Sequence, residues 1–232
     1  VFLHKKFIKY IYQWNIKCCN SVMRDSSKLD EIIREIEYGL ETIHDKTKSQ
    51  KANKFAQNTE TLSKLDSRLS ERIMRVNHMG EVCAQGLYRG QAAFTDDDET
   101  RKQLYMMCSE EREHLKICHD RLDELGAKGS IFNGLWYVSS FTLGALAGLT
   151  QKKYGAGFIE ETEKQVSRHL DDSINKLPVS DLRSKEMLDY IKEDEAQHEK
   201  TAVEMGSKDI PKVAKESMRL LSKLMKKITY YI

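Results

Sequence analysis

Apolar residues recur every three or four positions along most of this chain, which is the spacing that places them on one face of an α-helix. The stretch 28–44 shows this spacing, and a polar segment follows it up to Glu60. The spacing then returns in four longer stretches, whereas almost no segment alternates with the two-residue period of a β-strand. The pattern therefore predicts an all-α protein.

Residues that end helices separate the four longer stretches. The first stretch stops at the acidic turn 95–98, the second ends at Gly126, the third ends before Pro178 and the fourth ends at Gly206. Short turns therefore join the first stretch to the second and the third to the fourth, while the interval between the two pairs has room for a helix of its own. This order predicts a ferritin-like four-helix bundle with one long crossover.

The organisation predicts an N-terminal extension at 1–60, with one amphipathic helix and a polar linker, followed by the helical domain at 61–232. The first 24 residues carry five basic residues and no acidic residue. Three interpretations are open: a transit peptide, a helix on a membrane surface, or sequence upstream of the true start. Met23 is slightly favoured as the natural initiator.

The overall composition narrows the functional classes. The formal net charge is only +2, so the charge of the whole molecule gives no indication of nucleic-acid binding. The five cysteines are odd in number and form no Cys-x-x-Cys pair, which is typical of reduced thiols.

Two Glu-x-x-His motifs indicate metal chemistry. Glu111 and His114 form one motif, and Glu195 and His198 form the other. A step of three residues leaves the two side chains of a motif about 60° apart on a helix and one turn apart, so each pair can converge on one point. Both motifs lie on the apolar face of a predicted helix, where an uncompensated charge would be costly and a metal ion is the natural partner.

The other two helices of the predicted bundle each contribute one glutamate on the apolar face. Glu81 and Glu111 lie at similar distances from the turn between their helices, and so do Glu163 and Glu195. Such a set is found in di-iron carboxylate bundles. It suits two iron ions, with manganese as the alternative. The predicted metal ligands are Glu81, Glu111, His114, Glu163, Glu195 and His198.

Other residues near these motifs are weaker candidates. Glu41 and His44 repeat the spacing but have no partner hairpin, so they are predicted to be solvated. Tyr88 either points at the metals or packs in the core, while His169 is a neighbour of the ligands, a residue of an electron path, or an ordinary interior histidine. Several glutamates near the motifs do not lie on the apolar face of their helix and are predicted to be solvated: Glu110, Glu113, Glu193 and Glu199.

Two segments have the composition of membrane-associated helices. Residues 129–151 carry no charge, and residues 218–232 form a basic amphipathic run. A membrane-spanning helix is one interpretation of the first segment. Its glycines and polar residues favour the other, a helix that packs on the bundle and leaves one apolar side exposed. We expect both segments to rest on a membrane and to admit a lipid-like substrate; the alternative is that they only cap the core.

Several of these motifs resemble the Coq7 family of demethoxyubiquinone hydroxylases, over roughly residues 66–232. The matching segments are RVNHMGEVCAQGLYRGQ, EEREHL, NGLWYVSSFTLGALAGL, FIEETEKQVSRHL and EDEAQHEKTA. The resemblance implies a membrane-associated di-iron monooxygenase that uses O2 to hydroxylate the ring of a polyprenylated demethoxyquinol in ubiquinone biosynthesis. It also assigns the ligand roles to the six residues named above, and it matches His169 to a family histidine near the metals.

The resemblance further implies a peripheral protein on the cytoplasmic face of a bacterial inner membrane, or alternatively on the matrix side of the mitochondrial inner membrane. An oligomer or a complex of ubiquinone-biosynthesis proteins is a further expectation. The electrons would come from an external reductant, either NADH directly or a partner flavoprotein, because the sequence has no dinucleotide-binding fingerprint. Two rival functions use the same features: a ferritin-like ferroxidase or peroxidase, and a non-catalytic lipid-binding or assembly protein.

Overall fold

The computed structural model describes residues 28–55 and 61–232. The chain divides into two compact units at the boundary between Glu37 and Tyr38, and all residues of the candidate site lie in the second unit. The basic segment at 1–24, with Met23, falls outside the described residues. The domain boundary at residue 60 stays a prediction.

The described residues form seven α-helices and no strand, as the apolar spacing predicts. A short 3-10 turn at Ala52–Lys54 lies between the first two helices. The helices are α1 (Lys28–His44), α2 (Lys64–Phe94), α3 (Asp98–Glu124), α4 (Asn133–Gly148), α5 (Lys152–Lys176), α6 (Leu182–Glu204) and α7 (Lys212–Tyr231).

Helices α2, α3, α5 and α6 form the predicted ferritin-like bundle, and α4 lies in the crossover between its two hairpins. One core cluster takes buried residues from all four helices, among them Met74, Ile117, Leu170 and Ile191. These side chains come from the apolar positions of each helix, so the same periodicity that forms the helices also joins them.

The ends of the bundle helices follow the capping signals in the sequence. Ser63, Asp97 and Asp181 each accept a hydrogen bond from a backbone N–H in the first turn of α2, α3 and α6. Gly126 and Gly206 follow α3 and α6 with φ values of 70° and 83°, a conformation that other residues rarely adopt. The predicted helix ends are therefore confirmed.

One buried and one partly buried ion pair fix the start of α6 against α3. The Arg121 guanidinium lies 2.8 Å from the Asp181 carboxylate and donates a hydrogen bond of 2.7 Å to Ser184. Arg183 pairs with Glu124 at 2.6 Å. Because α3 and α6 carry the two Glu-x-x-His motifs, these pairs hold the two helices that supply most of the site in register.

The crossover helix α4 packs against α2 through glycines on both helices. An alanine in place of Gly90 would put its Cβ 2.0 Å from the Phe141 carbonyl oxygen, and an alanine in place of Gly144 would put its Cβ 2.0 Å from the Leu87 carbonyl oxygen. Such distances leave no room for a side chain, so the backbones touch. The predicted packing of the uncharged segment on the bundle is therefore observed.

Apolar side chains remain exposed on the outer sides of α4 and α7. They are Leu135, Val138 and Leu146 on α4, Leu149 at its end, and Val213, Leu220 and Leu224 on α7. In the part of the chain that the structure describes, no helix combines the length and the apolar character needed to cross a membrane.

The glycine contact between α2 and α4 makes a prediction about stability. We expect Gly90→Ala to lower the free energy of unfolding by about 1–3 kcal/mol, because the added methyl group forces the two backbones apart. Urea denaturation followed by circular dichroism measures this change.

Gly80→Ala is the matched control on the same helix, because a Cβ at Gly80 would meet no atom within 4 Å. It should leave stability unchanged or raise it by about 0.5–1 kcal/mol through helix propensity. Equal losses in both variants would contradict the close packing of α2 and α4.

Candidate metal centre

The structure brings all six predicted ligands together inside the bundle. Their exposed fractions lie between 1% and 4%, so bulk water does not solvate them. Helices α2 and α5 each supply one glutamate, whereas α3 and α6 each supply a glutamate and a histidine one turn later. The residues are Glu81 on α2, Glu111 and His114 on α3, Glu163 on α5, and Glu195 and His198 on α6.

The six residues form two overlapping groups, each suited to one metal ion. Glu81 and His114 belong to the first group, and Glu163 and His198 belong to the second. The two central glutamates of the Glu-x-x-His motifs, on α3 and α6, belong to both. Each residue of a group offers one potential ligand atom, and all these atoms lie within 4.8 Å of one another. The shared carboxylates therefore stand where bridging ligands of a two-metal site would stand.

Both histidines turn the same ring nitrogen toward the shared carboxylates. His114 Nδ1 lies 3.1 Å from Glu111 Oε2 and 3.4 Å from Glu195 Oε1. His198 Nδ1 lies 3.1 Å from an oxygen of each of these glutamates. The Nδ1 atoms and the carboxylate oxygens thus form the inner lining of the site.

Electrostatics explain why this cluster suits cations. Burial, followed by the charge of neighbouring carboxylates, raises the pKa of Glu81 and Glu163 well above the ordinary value. Burial also disfavours the charged form of Glu111, but hydrogen bonds from the two histidines outweigh it and lower the pKa of this residue. Without cations the cluster must therefore hold extra protons. Two divalent cations neutralise four carboxylates, so the donor set fits a two-metal site.

The outer nitrogen of each histidine also has a carboxylate partner, and neither partner was predicted from the sequence. His114 Nε2 lies 3.0 Å from Asp194, and His198 Nε2 lies 2.8 Å from Glu110. Such partners fix the ring orientation of a metal-binding histidine. The prediction of a solvated Glu110 is incomplete, because its side chain is 62% exposed but still reaches across to the histidine of the neighbouring helix. The available signal was an acidic residue directly before the glutamate of each motif.

The segment before α2 reaches the same side of the site. Lys51 donates a hydrogen bond to the Tyr190 hydroxyl, and the Tyr190 and His114 rings pack edge to face at a centroid distance of 6.2 Å. Tyr190 also bonds to Asp194, the outer partner of that histidine. The polar linker is therefore tied to the candidate metal centre.

The structure separates the two weaker candidates, Tyr88 and His169. The buried Tyr88 hydroxyl donates a hydrogen bond to Glu163, so this tyrosine points at the cluster as well as packing in the core. His169 lies outside the ligand groups. It lines a cavity beside them, and its Nε2 atom is buried without a hydrogen-bond partner among the described residues.

The remaining acidic candidates lie away from the cluster. Glu41 and His44 are both exposed, and among the described residues neither belongs to a group of possible ligands. Glu193 is exposed as predicted. Glu113 bonds to Ser49, and Glu199 lies 3.9 Å from Lys164.

A cavity of about 160 Å³ adjoins the carboxylate cluster. All four glutamates of the cluster contribute to its lining. Most of the remaining wall is apolar and comes from α2, α4, α5 and α7, including Leu87, Leu143, Phe158, Val166 and Leu221. A largely apolar molecule can therefore lie next to the candidate metal centre.

Comparisons with known proteins agree on one family. The family model described as ubiquinone biosynthesis protein COQ7 matches residues 68–229. A protein of Xanthomonas axonopodis pv. citri named 3-demethoxyubiquinol 3-hydroxylase is 42% identical over 211 residues, which cover 90% of this chain and 97% of that protein. A protein of Acinetobacter baumannii with the same name is 41% identical over 90% of this chain and all of its own length.

The contacts of Asp194 and Glu110 with the Nε2 atoms of the two histidines lead to a prediction about metal binding. We expect Asp194→Asn to weaken metal binding by about 10–100-fold, because the amide no longer fixes the charge and orientation of the His114 ring. Competition between the protein and a chelating dye measures the affinity.

Glu193→Gln is the matched control, because Glu193 is the exposed residue next to Asp194 in the same helix. Its metal affinity should equal that of the wild type. Identical affinities for Asp194→Asn and the wild type would contradict the role of the outer carboxylate.

Proposed function

The chain belongs to the Coq7 family of ubiquinone biosynthesis proteins, and on that premise we propose that it is a di-iron 3-demethoxyubiquinol hydroxylase. The substrate is the ring of a polyprenylated demethoxyquinol, and the reaction is an O2-dependent hydroxylation. The observation that carries this proposal is a buried set of four glutamates and two histidines beside an apolar cavity.

The proposed ligands are the six residues of the cluster. Mixed carboxylate and imidazole donors favour iron, with manganese as the alternative. Two iron ions held there supply the activation of O2. One oxygen atom would enter the ring as a hydroxyl group and the other would leave as water, which requires two electrons from an external reductant and two protons from the reductant and the medium together. We propose NADH or a flavoprotein as that reductant.

The chain itself orients the reactants. Apolar side chains of the cavity hold the quinol ring next to the cluster and exclude water from it. The Tyr88 hydroxyl bond fixes one carboxylate oxygen of Glu163, while Asp194 and Glu110 fix the histidine rings. The protein thus provides position and a dry environment, while the metals provide the oxidation chemistry.

A ferroxidase or peroxidase would use the same ligands, so the ligand set alone does not separate it from a hydroxylase. The cavity favours the hydroxylase, because inorganic iron or peroxide has no need of an apolar chamber formed by four helices. A non-catalytic lipid-binding or assembly protein would use the cavity but would need the metals only for folding.

We also propose that the chain is a peripheral protein on the cytoplasmic face of a bacterial inner membrane. Exposed leucines on α4 and α7 support attachment to a membrane surface, and α7 adds basic residues that suit anionic lipids. The cavity wall includes residues of both helices, so a tail drawn from the membrane has a short route to the site. Assembly with a second copy or with other enzymes of the pathway stays a prediction.

The hydroxylase proposal is tested by anaerobic loading with iron, followed by O2, a reductant and a demethoxyquinol with a short prenyl tail. We expect a product with one additional oxygen atom, and that atom should come from ¹⁸O2 in mass spectrometry. Oxidation of iron without ring product would support the ferroxidase and contradict the proposal. No oxidation of iron or ring would support the non-catalytic alternative.

The membrane proposal is tested by sedimentation with vesicles that contain phosphatidylglycerol. The double substitution Leu220→Glu with Leu224→Glu should reduce the bound fraction at least severalfold, because it places two charges on the apolar face of α7. Val179→Glu is the control, since Val179 is an exposed apolar residue in the turn between α5 and α6. Equal binding by the double variant and the control would contradict docking through α7.

A further inference from the structure

His169 is one of several polar residues in the largely apolar wall of the cavity. It lies on α5, six residues after Glu163, which corresponds to a rise of about 9 Å along the helix axis. Its side chain is half-buried overall, but the Nε2 atom is fully buried and has no hydrogen-bond partner among the described residues. The same cavity is therefore lined by the carboxylate cluster and, further along α5, by the side chain of His169, whose Nε2 atom is unpaired.

An unpaired buried nitrogen of this kind needs an explanation. Leaving a buried donor or acceptor without a partner costs free energy, because the hydrogen bond to water is lost and not replaced. His169 has no role in the ligand groups that would account for this cost. A ligand in the cavity with an oxygen near Nε2 would satisfy the nitrogen and recover the lost hydrogen bond.

The charge state of the imidazole agrees with a neutral ligand. Burial, followed by the charges of Lys226 and Lys176, lowers the pKa of His169 to about 3. The ring is therefore neutral near pH 7, and Nε2 can donate or accept one hydrogen bond according to its tautomer. A hydroxyl group matches either tautomer, because it can both donate and accept.

We propose that His169 Nε2 forms a hydrogen bond to one ring hydroxyl of the quinol substrate and thereby sets which ring edge faces the carboxylate cluster. This assignment rests on the proposed function. Glu163 and His169 both line the cavity from α5, about two turns apart, so a ring beside the cluster lies on the same side of the helix wall as the histidine. His169 is thus a specificity-determining residue that recognises the ring, whereas the apolar walls bind the remainder of the molecule without directional bonds.

The proposal is tested by ligand binding, which does not require turnover. The full chain is titrated under anaerobic conditions with two probes: a demethoxyquinol with a short prenyl tail, and the same prenylated ring without its two hydroxyl groups. Four proteins are compared: the wild type, His169→Ala, His169→Gln and His119→Ala. His119 is the control histidine, because it is half-buried and is not among the residues that line the cavity.

We expect His169→Ala to bind the quinol about tenfold more weakly than the wild type, which is the factor that one net hydrogen bond provides. His169→Gln should recover most of that loss, and His119→Ala should bind like the wild type. The probe without hydroxyl groups should bind equally to the wild type and to His169→Ala, because it has no group to pair with the imidazole.

Equal quinol affinity for the wild type and His169→Ala would overturn the assignment while leaving the proposed function intact. Weaker binding of both probes to His169→Ala would also overturn it, because such a loss reports a change in cavity shape. Albumin serves as the reference for nonspecific binding. If the wild type bound the quinol no better than albumin, the proposed function itself would fail, and the assignment to His169 would fail with it.

Discussion

Four glutamate side chains buried in one small volume are the constraint on which this structure depends. Carboxylates so close together repel one another, and burial makes each charge costly. The bundle reduces this cost by placing two histidines against the shared carboxylates Glu111 and Glu195, but four acids and two bases do not balance. Divalent cations would complete the balance. The cluster is therefore compatible with a metal site, and the bundle helices bring all six side chains together.

The rest of the molecule serves this arrangement in two ways. The pairs from Arg121 to Asp181 and from Arg183 to Glu124 fix the helices that carry the Glu-x-x-His motifs. On the other side, the glycine contact draws α4 against α2 and closes one wall of the apolar cavity. One part of the fold thus fixes the helices of the carboxylate cluster, while the other shapes the apolar cavity beside it. The exposed leucines of α4 and α7 extend this apolar character to the surface.

The helices and the cluster could be predicted from the sequence. The 3.6-residue period of apolar residues identifies the inner face of each helix, and Glu81 and the Glu-x-x-His motifs lie on that face. The contact between Glu110 and His198 could not be predicted, because it depends on how α3 and α6 are rotated relative to each other. Helical phase predicts that His169 is not a bridging ligand, but its unpaired nitrogen appears only once the surrounding helices form the cavity. Local pattern therefore determines what each helix presents, and tertiary packing decides which groups meet.

The most direct measurement is anomalous diffraction at the iron edge from crystals of the iron-loaded protein. We expect two peaks about 3.5–4 Å apart inside the bundle, both next to Glu111 and Glu195, with His114 at one peak and His198 at the other. A single peak, or peaks remote from these two shared glutamates, would contradict the two-metal centre.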